Sequence, residues 1–125
     1  MPPTLPHILV LNGSLRGPAG NTAHLLAQAS RCVQGRAHVS QVCLADFAGS
    51  TASLLALVRR ADALLFGSGV YWNSYGSPLQ RFLEVATAWE TSDVFLGKPA
   101  AVVLTMDSVG GMEVAARLLG VLNLL

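Results

Sequence analysis

The sequence predicts one α/β domain built as a doubly wound parallel sheet, and three observations predict it. Short apolar runs alternate with stretches of helical periodicity along all 125 residues, the pattern of successive βα units. Two of the runs, Ala63-Leu64-Leu65-Phe66 and Pro99 to Met106, are apolar without alternation, as strands covered on both faces must be. A glycine-rich loop over 12–22 joins the first run to the first helix, at the carboxyl end of a strand, where such sheets place their ligands.

In chain order, His7 to Leu11 is an apolar run stopped by Asn12-Gly13, a strand ending at a turn. Thr22 to Val33 reads as a helix with Leu25, Ala29 and Cys32 or Val33 on its buried face and Gly35 beyond its end as C-cap. Val39 to Leu44 is a weaker second strand. Ser53 to Ala61 is a short helix with Leu54, Val58 and Ala61 on one side. After the third strand, Ser77 reads as an N-cap, Pro78 as the first helical residue and Gln80 as the closing member of a capping box. Leu79, Phe82, Leu83 and Ala86 line the buried face of that helix. Pro99 to Met106 is the fourth strand, and a helix runs from Met112 to the end. The parallel order implies right-handed crossovers and a site in the loops after strands one, three and four.

The last helix carries two apolar stripes, one of Met112, Ala115, Ala116 and Leu119 and another of Leu118, Val121, Leu122 and Leu125. One sheet face covers only one of them, so a partner subunit or a further segment is expected on the other. The apolar end Leu122-Asn123-Leu124-Leu125 has no polar cap, and the chain is expected to be cut short.

Composition excludes several classes. With 52% hydrophobic and 12% charged residues the chain is not a disordered one. A net charge of +1 forms no basic stripe, so neither nucleic acid nor an anionic membrane is an expected partner. Two cysteines, Cys32 and Cys43, show no metal-like or redox-like spacing and fit a reducing cytoplasm. The start Met1-Pro2-Pro3-Thr4-Leu5-Pro6 lacks the regions of a signal peptide, and no apolar run nears the about 18 residues of a membrane span.

The first loop, Asn12 to Thr22, carries the chemistry. Its glycines let backbone approach a ligand, and its amides with the following helix N-terminus favour an anion, for which phosphate is the natural guest. Ser14 and Thr22 offer hydroxyls, Asn21 an amide and Arg16 a charged fork. The bland alternative is a turn with Asn21 or Thr22 as an ordinary N-cap. The loop lacks the Gly-Lys-Ser/Thr ending of a nucleoside triphosphate loop, and Gly13, Gly17 and Gly20 do not form G-x-G-x-x-G. A mononucleotide fits better.

Several separated motifs carry a resemblance. Gly13-Ser14-Leu15-Arg16 with Gly20-Asn21-Thr22, Leu44-Ala45-Asp46-Phe47, Ala61-Asp62-Ala63, Val70 to Tyr75 followed by Leu79 and Phe82, Gly97-Lys98-Pro99 and Gly110-Gly111 fall in one order. That order, over nearly the whole chain, resembles the NADPH-dependent FMN reductase family of flavodoxin-like flavoproteins. The resemblance implies a flavodoxin-like sheet, of whose usual five βα units four are visible here, spanning 1–125 as one FMN-binding domain. It implies a non-covalent FMN with its phosphate on Ser14, Arg16, Gly20, Asn21 and Thr22. The isoalloxazine ring would lie against Val70, Tyr71, Trp72, Asn73 and Ser74 and the backbone of Asp107, Ser108, Gly110 and Gly111. NADPH or NADH would supply hydride, and a small electron acceptor, such as a flavin or quinone, would receive it. A homodimer or homotetramer is the expected assembly. No side-chain acid or base is then required, because amides near a helix N-terminus stabilise charge gained at the flavin's N1–O2 edge.

Three positions depart from the family pattern, which usually has proline at Gly69, glycine at Ser77 and lysine at Gln80; the capping box accounts for the last two. A missing fifth unit would leave strand four as an apolar edge. Two rival functions follow: a flavodoxin-like electron carrier, disfavoured by the near-neutral charge, and a truncated interaction domain without flavin. Tyr71 and Trp72 read either as ligand-packing residues or as a cover for the core, and Trp89 as packing. His7, His24 and His38 have no metal-ligand spacing, Cys32 and Cys43 read as small apolar residues, and Asp46 and Asp62 as acceptors for turn amides.

Overall fold

The computed structural model describes residues 4–125; Met1-Pro2-Pro3, the first part of the start read above for signal-peptide regions, lies outside the described residues. Strands β1 (His7–Asn12), β2 (His38–Cys43), β3 (Ala63–Gly69) and β4 (Ala100–Thr105) alternate with helices α1 (Asn21–Cys32), α2 (Thr51–Arg60), α3 (Ser77–Ala86) and α4 (Gly111–Leu122). The strands form one parallel sheet in the order β2-β1-β3-β4, the flavodoxin-like arrangement. The chain winds outward in one direction to β2 and in the other to β4, so the loops after β1 and β3 part company between them. That switch point is where open α/β sheets hold ligands.

Alternation along the strands divides the core into two faces. Leu9, Leu11, Leu64 and Phe66 belong to the main cluster with Leu54 and Val58 of α2, Leu79, Phe82 and Leu83 of α3, and Val114 and Leu118 of α4. Its centre is aromatic: Phe66 packs on Phe82 at 5.8 Å between ring centroids, Phe82 on Trp89 at 6.1 Å, and Trp89 on Phe95 at 6.3 Å. Trp89 is thus a packing residue. On the opposite face Val10 is buried and α1 contributes Leu26. Lys98 staples the segment before β4 to α2, its ammonium donating to the Val58 and Arg59 carbonyls at 2.6 and 3.2 Å. Burial and the nearby Arg59 charge lower its pKa from the ordinary lysine value.

Two local expectations are corrected. On α1 the buried residues are Thr22 and Leu26, while Leu25 is exposed and Cys32 lies at the surface. The helix is turned because Thr22 Oγ1 is tied to Thr105 Oγ1 at 2.8 Å and Leu26 packs against the β3 backbone at Gly67. The second correction concerns α3, whose N-cap is Gly76; Ser77 is its first residue, and no side-chain cap bond forms. The Gly76 amide donates to Ser68 Oγ at 2.8 Å, and Gln80 instead accepts from the Tyr75 hydroxyl and donates to Glu84. The Gly76 amide is thus held from outside the helix, and Gln80 is engaged by side chains, so the capping box does not form. A reciprocal capping box does start α2, between Ser50 and Ser53.

β3 also runs three residues past Phe66, because Gly67, Ser68 and Gly69 pair with Val103, Leu104 and Thr105 despite their low strand propensity. On α4 the inward stripe is Val114 and Leu118, while Met112 and Leu119 face solvent at 87% and 44% exposure. Among the described residues no helix is long and apolar enough to cross a membrane.

The rotation of α1 is testable. Leu26→Ala should cost about 2–4 kcal/mol of unfolding free energy, because it opens a cavity against β3. Leu25→Ala should cost less than about 1 kcal/mol; urea unfolding of both variants measures the difference.

Candidate functional site

The loop after β1 is shaped by Asn12, a buried residue at the strand's last position. Its Nδ2 donates to the Gly17 carbonyl at 3.2 Å and its Oδ1 accepts from the Ser14 amide at 3.0 Å. These two bonds fold 13–17 into a compact turn and aim the chain at α1. Gly20 is the N-cap of α1 and makes no side-chain cap bond, so the first-turn amides at Asn21 and Thr22 have no side chain closing over them. The bland reading of Asn21 or Thr22 as the N-cap is thereby removed.

Beside this turn lies an open cleft of about 350 Å³ lined by Ser14, Arg16, Gly20, Asn21, Thr22, Gly69, Val70, Tyr71, Thr105, Met106 and Asp107. All five residues expected around a phosphate line it, with Val70, Tyr71 and Asp107 of the expected ring loops. Ser14 is almost fully buried, and its hydroxyl lies 3.0 Å from the Tyr71 hydroxyl and accepts from the Arg16 amide at 3.3 Å. The Thr22 hydroxyl is buried and committed to Thr105. Among the described residues the Arg16 guanidinium is in no ion pair; the single pair there is Arg59 with Asp93 at 3.5 Å. A positive fork, a serine hydroxyl and two helix-end amides therefore converge on one wall of the cleft, a donor set suited to a phosphate monoester.

The loop after β3 is a two-residue hairpin. The Tyr71 amide donates to the Ser74 carbonyl at 2.8 Å and the Ser74 amide to the Tyr71 carbonyl at 2.9 Å. Its tip residues, Trp72 and Asn73, both have positive φ, 50° and 59°, a conformation costly for residues with a Cβ. Trp72 is fully exposed and so buries nothing in return. It does not cover the core, contrary to one of the two readings above.

The hairpin is joined to the loop after β4. Asn73 lies against Gly110, whose φ of 96° makes glycine the residue suited to the α4 N-cap, and Arg117 Nη1 lies 3.3 Å from Ser74 Oγ. Gly111 packs on Met106. Trp72, Asn73, Ser74, Ser108, Gly110 and Gly111, also expected about the ring, do not line the cleft; they lie in the loops after β3 and β4 and at the start of α4.

Gly69, unusual by the family pattern, has a local reason. A Cβ at Gly69 would stand 2.9 Å from the Tyr71 hydroxyl oxygen, and one at Gly76 would stand 3.3 Å from its ring. The two glycines make the notch in which Tyr71 lies.

Asn12, Ser68, Thr105 and Met106 also belong to the site and were not singled out from sequence. Ser68 is fully buried, accepts from Gly76 and donates to the Gly69 carbonyl at 2.8 Å, pinning the entry to the hairpin. The available signal for Asn12, Ser68 and Thr105 was position: each is a polar residue at the carboxyl end of an apolar strand.

Elsewhere the isolated polar residues are structural. His7 Nε2 lies 2.7 Å from Ser40 Oγ, and the His7 amide donates to Asp62 at 2.8 Å. Among the described residues no group of His, Cys, Asp and Glu is arranged to hold a metal ion. Burial, and secondarily Asp46, raise the Cys43 thiol pKa, which keeps it protonated near neutrality. A separate hollow of about 150 Å³, lined by Leu44, Phe47, Thr51, Leu54, Arg81 and Phe82 among others, shares no residue with the cleft.

The family model of NADPH-dependent FMN reductase matches residues 6–125. The chain belongs to that family. No curated protein matches the chain. Solved structures do. The flavoenzyme NAD(P)H:(acceptor) oxidoreductase FerB from Paracoccus denitrificans is 22% identical with a TM-score of 0.80, over 96% of this chain and 72% of FerB. The apo form of NADH:FMN oxidoreductase EMOB is 20% identical with a TM-score of 0.78, over 95% of this chain and 68% of that one. General stress protein 14 from Treponema denticola, solved in complex with FMN, is 17% identical with a TM-score of 0.64, over 94% and 74% respectively. At these identities the likeness carries the fold, and the family rests on the family model.

The strained tip of the hairpin yields a prediction. Trp72→Gly should raise the unfolding free energy by about 0.5–1 kcal/mol, since glycine accepts positive φ and no packing is lost; thermal unfolding reads the gain.

Proposed function

We propose that this protein holds FMN in the cleft and transfers hydride from NADPH or NADH through it to a small acceptor such as a free flavin or a quinone. The observation that carries the reading is the convergence of Arg16, Ser14 and the uncapped α1 amides on one wall of the cleft. Arg16 and Ser14 would hold the phosphate, and the Asn21 and Thr22 amides would add the helix-end field. FMN, when bound, supplies hydride acceptance and release at its N5. The chain's own contribution is position and field. Val70 and Tyr71, which line the cleft, would form a wall for the ring, the Tyr71–Ser74 hairpin would limit its approach, and the first-turn amides of α4, just past the cleft-lining Asp107, would stabilise negative charge on it. No side chain in the cleft is assigned as a general acid or base.

The free cysteines, Cys32 and Cys43, support a reducing cytoplasm as the working compartment. The outward stripe of α4, with Met112, Leu119 and the neighbouring Val109 exposed, supports a homodimer or homotetramer. Leu118 is unsuited to testing this because it lies in the core. Met112→Glu with Leu119→Glu should lower the mass seen by light scattering if copies meet there, with the fold retained by circular dichroism.

FMN titration followed by flavin fluorescence tests the cofactor. Arg16→Ala should weaken FMN binding about tenfold while leaving riboflavin, which has no phosphate, nearly unchanged. Steady NADPH consumption with an added quinone separates an oxidoreductase from an electron carrier, which should show almost none.

A further inference from the structure

Tyr71 has a side chain that already engages donors of the loop after β1. Its hydroxyl oxygen accepts from the Leu15 amide at 3.2 Å and lies 3.0 Å from Ser14 Oγ. The ring reaches across from the loop after β3, in the notch left by Gly69 and Gly76, so this contact bridges residues 56 and 57 positions apart. Under the reading of the cleft as an FMN site, on which this inference rests, Ser14 and Arg16 line the wall that would hold the phosphate, and the Leu15 amide between them would be within the phosphate's reach. An ionised phosphate oxygen is a stronger acceptor than a neutral phenol, so the two compete for the same donors.

We propose that the Tyr71 hydroxyl is an internal competitor for the phosphate. It holds the Leu15 amide and the Ser14 hydroxyl until a phosphate monoester takes them, and it thereby sets how strongly the site prefers a phosphorylated flavin to an unphosphorylated one. Tyr71 is also the first residue of the strained hairpin, and its main chain is bonded in both directions to Ser74. Displacing the ring therefore moves the turn that carries Trp72, whose fully exposed side chain offers no packing to resist it. Phosphate capture in the cleft is transmitted to the hairpin.

A tyrosine that clamped the loop, or donated to the phosphate, would act with the opposite sign. The test titrates the full chain, as wild type, Tyr71→Phe and Arg16→Ala, with FMN and with riboflavin. Phenylalanine keeps the ring in its notch and removes the competing oxygen. The ratio of FMN to riboflavin affinity should rise about fivefold in Tyr71→Phe, the scale of one net hydrogen bond. An unchanged or lower ratio overturns the proposal. A wild type with no preference for FMN, or an Arg16→Ala variant that keeps the full preference, overturns the FMN reading itself. In parallel, inorganic phosphate alone should shift Trp emission in the wild type but neither in Trp72→Phe nor in Tyr71→Phe, which has no hydroxyl for the phosphate to displace. A silent Trp72 overturns the transmission to the hairpin.

Discussion

The parallel pairing of β1 with β3 is the constraint on which the rest of the structure depends. It brings Leu11 beside Phe66 and Asn12 beside Gly67, and it makes the chain leave the two strands in opposite directions. The cleft is what remains between the departing loops. Its floor is held by main-chain bonds: the Gly13 amide donates to the Gly67 carbonyl at 2.7 Å and the Val70 amide to the Thr105 carbonyl at 2.9 Å. A site built this way needs no catalytic side chain on a mobile loop, because backbone at the ends of central strands is among the most rigid material a small domain has.

Much of this was legible in the sequence because it is written in periods and in turn chemistry. The apolar runs at 63–66 and 99–106 announced central strands, and the glycine-rich loop between a strand and a helix announced an anion cradle. What was not legible depended on contacts between distant residues. The facing of α1 turns by one residue because Thr22 meets Thr105, a pairing that no helical pattern records. The Ser77 cap failed because the helix starts one residue earlier, where the Leu79 and Gln80 amides donate to the Gly76 carbonyl and Ser68 holds the Gly76 amide. The positive φ of Trp72 and Asn73 was invisible because sequence signals for such turns rest on glycine, and here the tip carries none.

The cleft also shows where the domain departs from local consistency. Core positions agree with their propensities, whereas the hairpin tip places a tryptophan in a left-handed conformation with its whole surface in water. Such disagreement, concentrated at one loop of an otherwise regular fold, is the usual mark of a surface shaped for contact with something else.

The link from Arg117 to Ser74, together with the seating of Asn73 on Gly110, ties the hairpin to α4 at two points. In evolutionary terms the two segments cannot drift independently. A bulkier residue at 73 requires room that only glycine at 110 leaves, and a change at 74 removes the anchor of a residue nearly two helical turns into α4. Substitutions in one segment should be accompanied by substitutions in the other across related chains, and attempts to graft the hairpin alone onto another scaffold would carry over a loop without its brace.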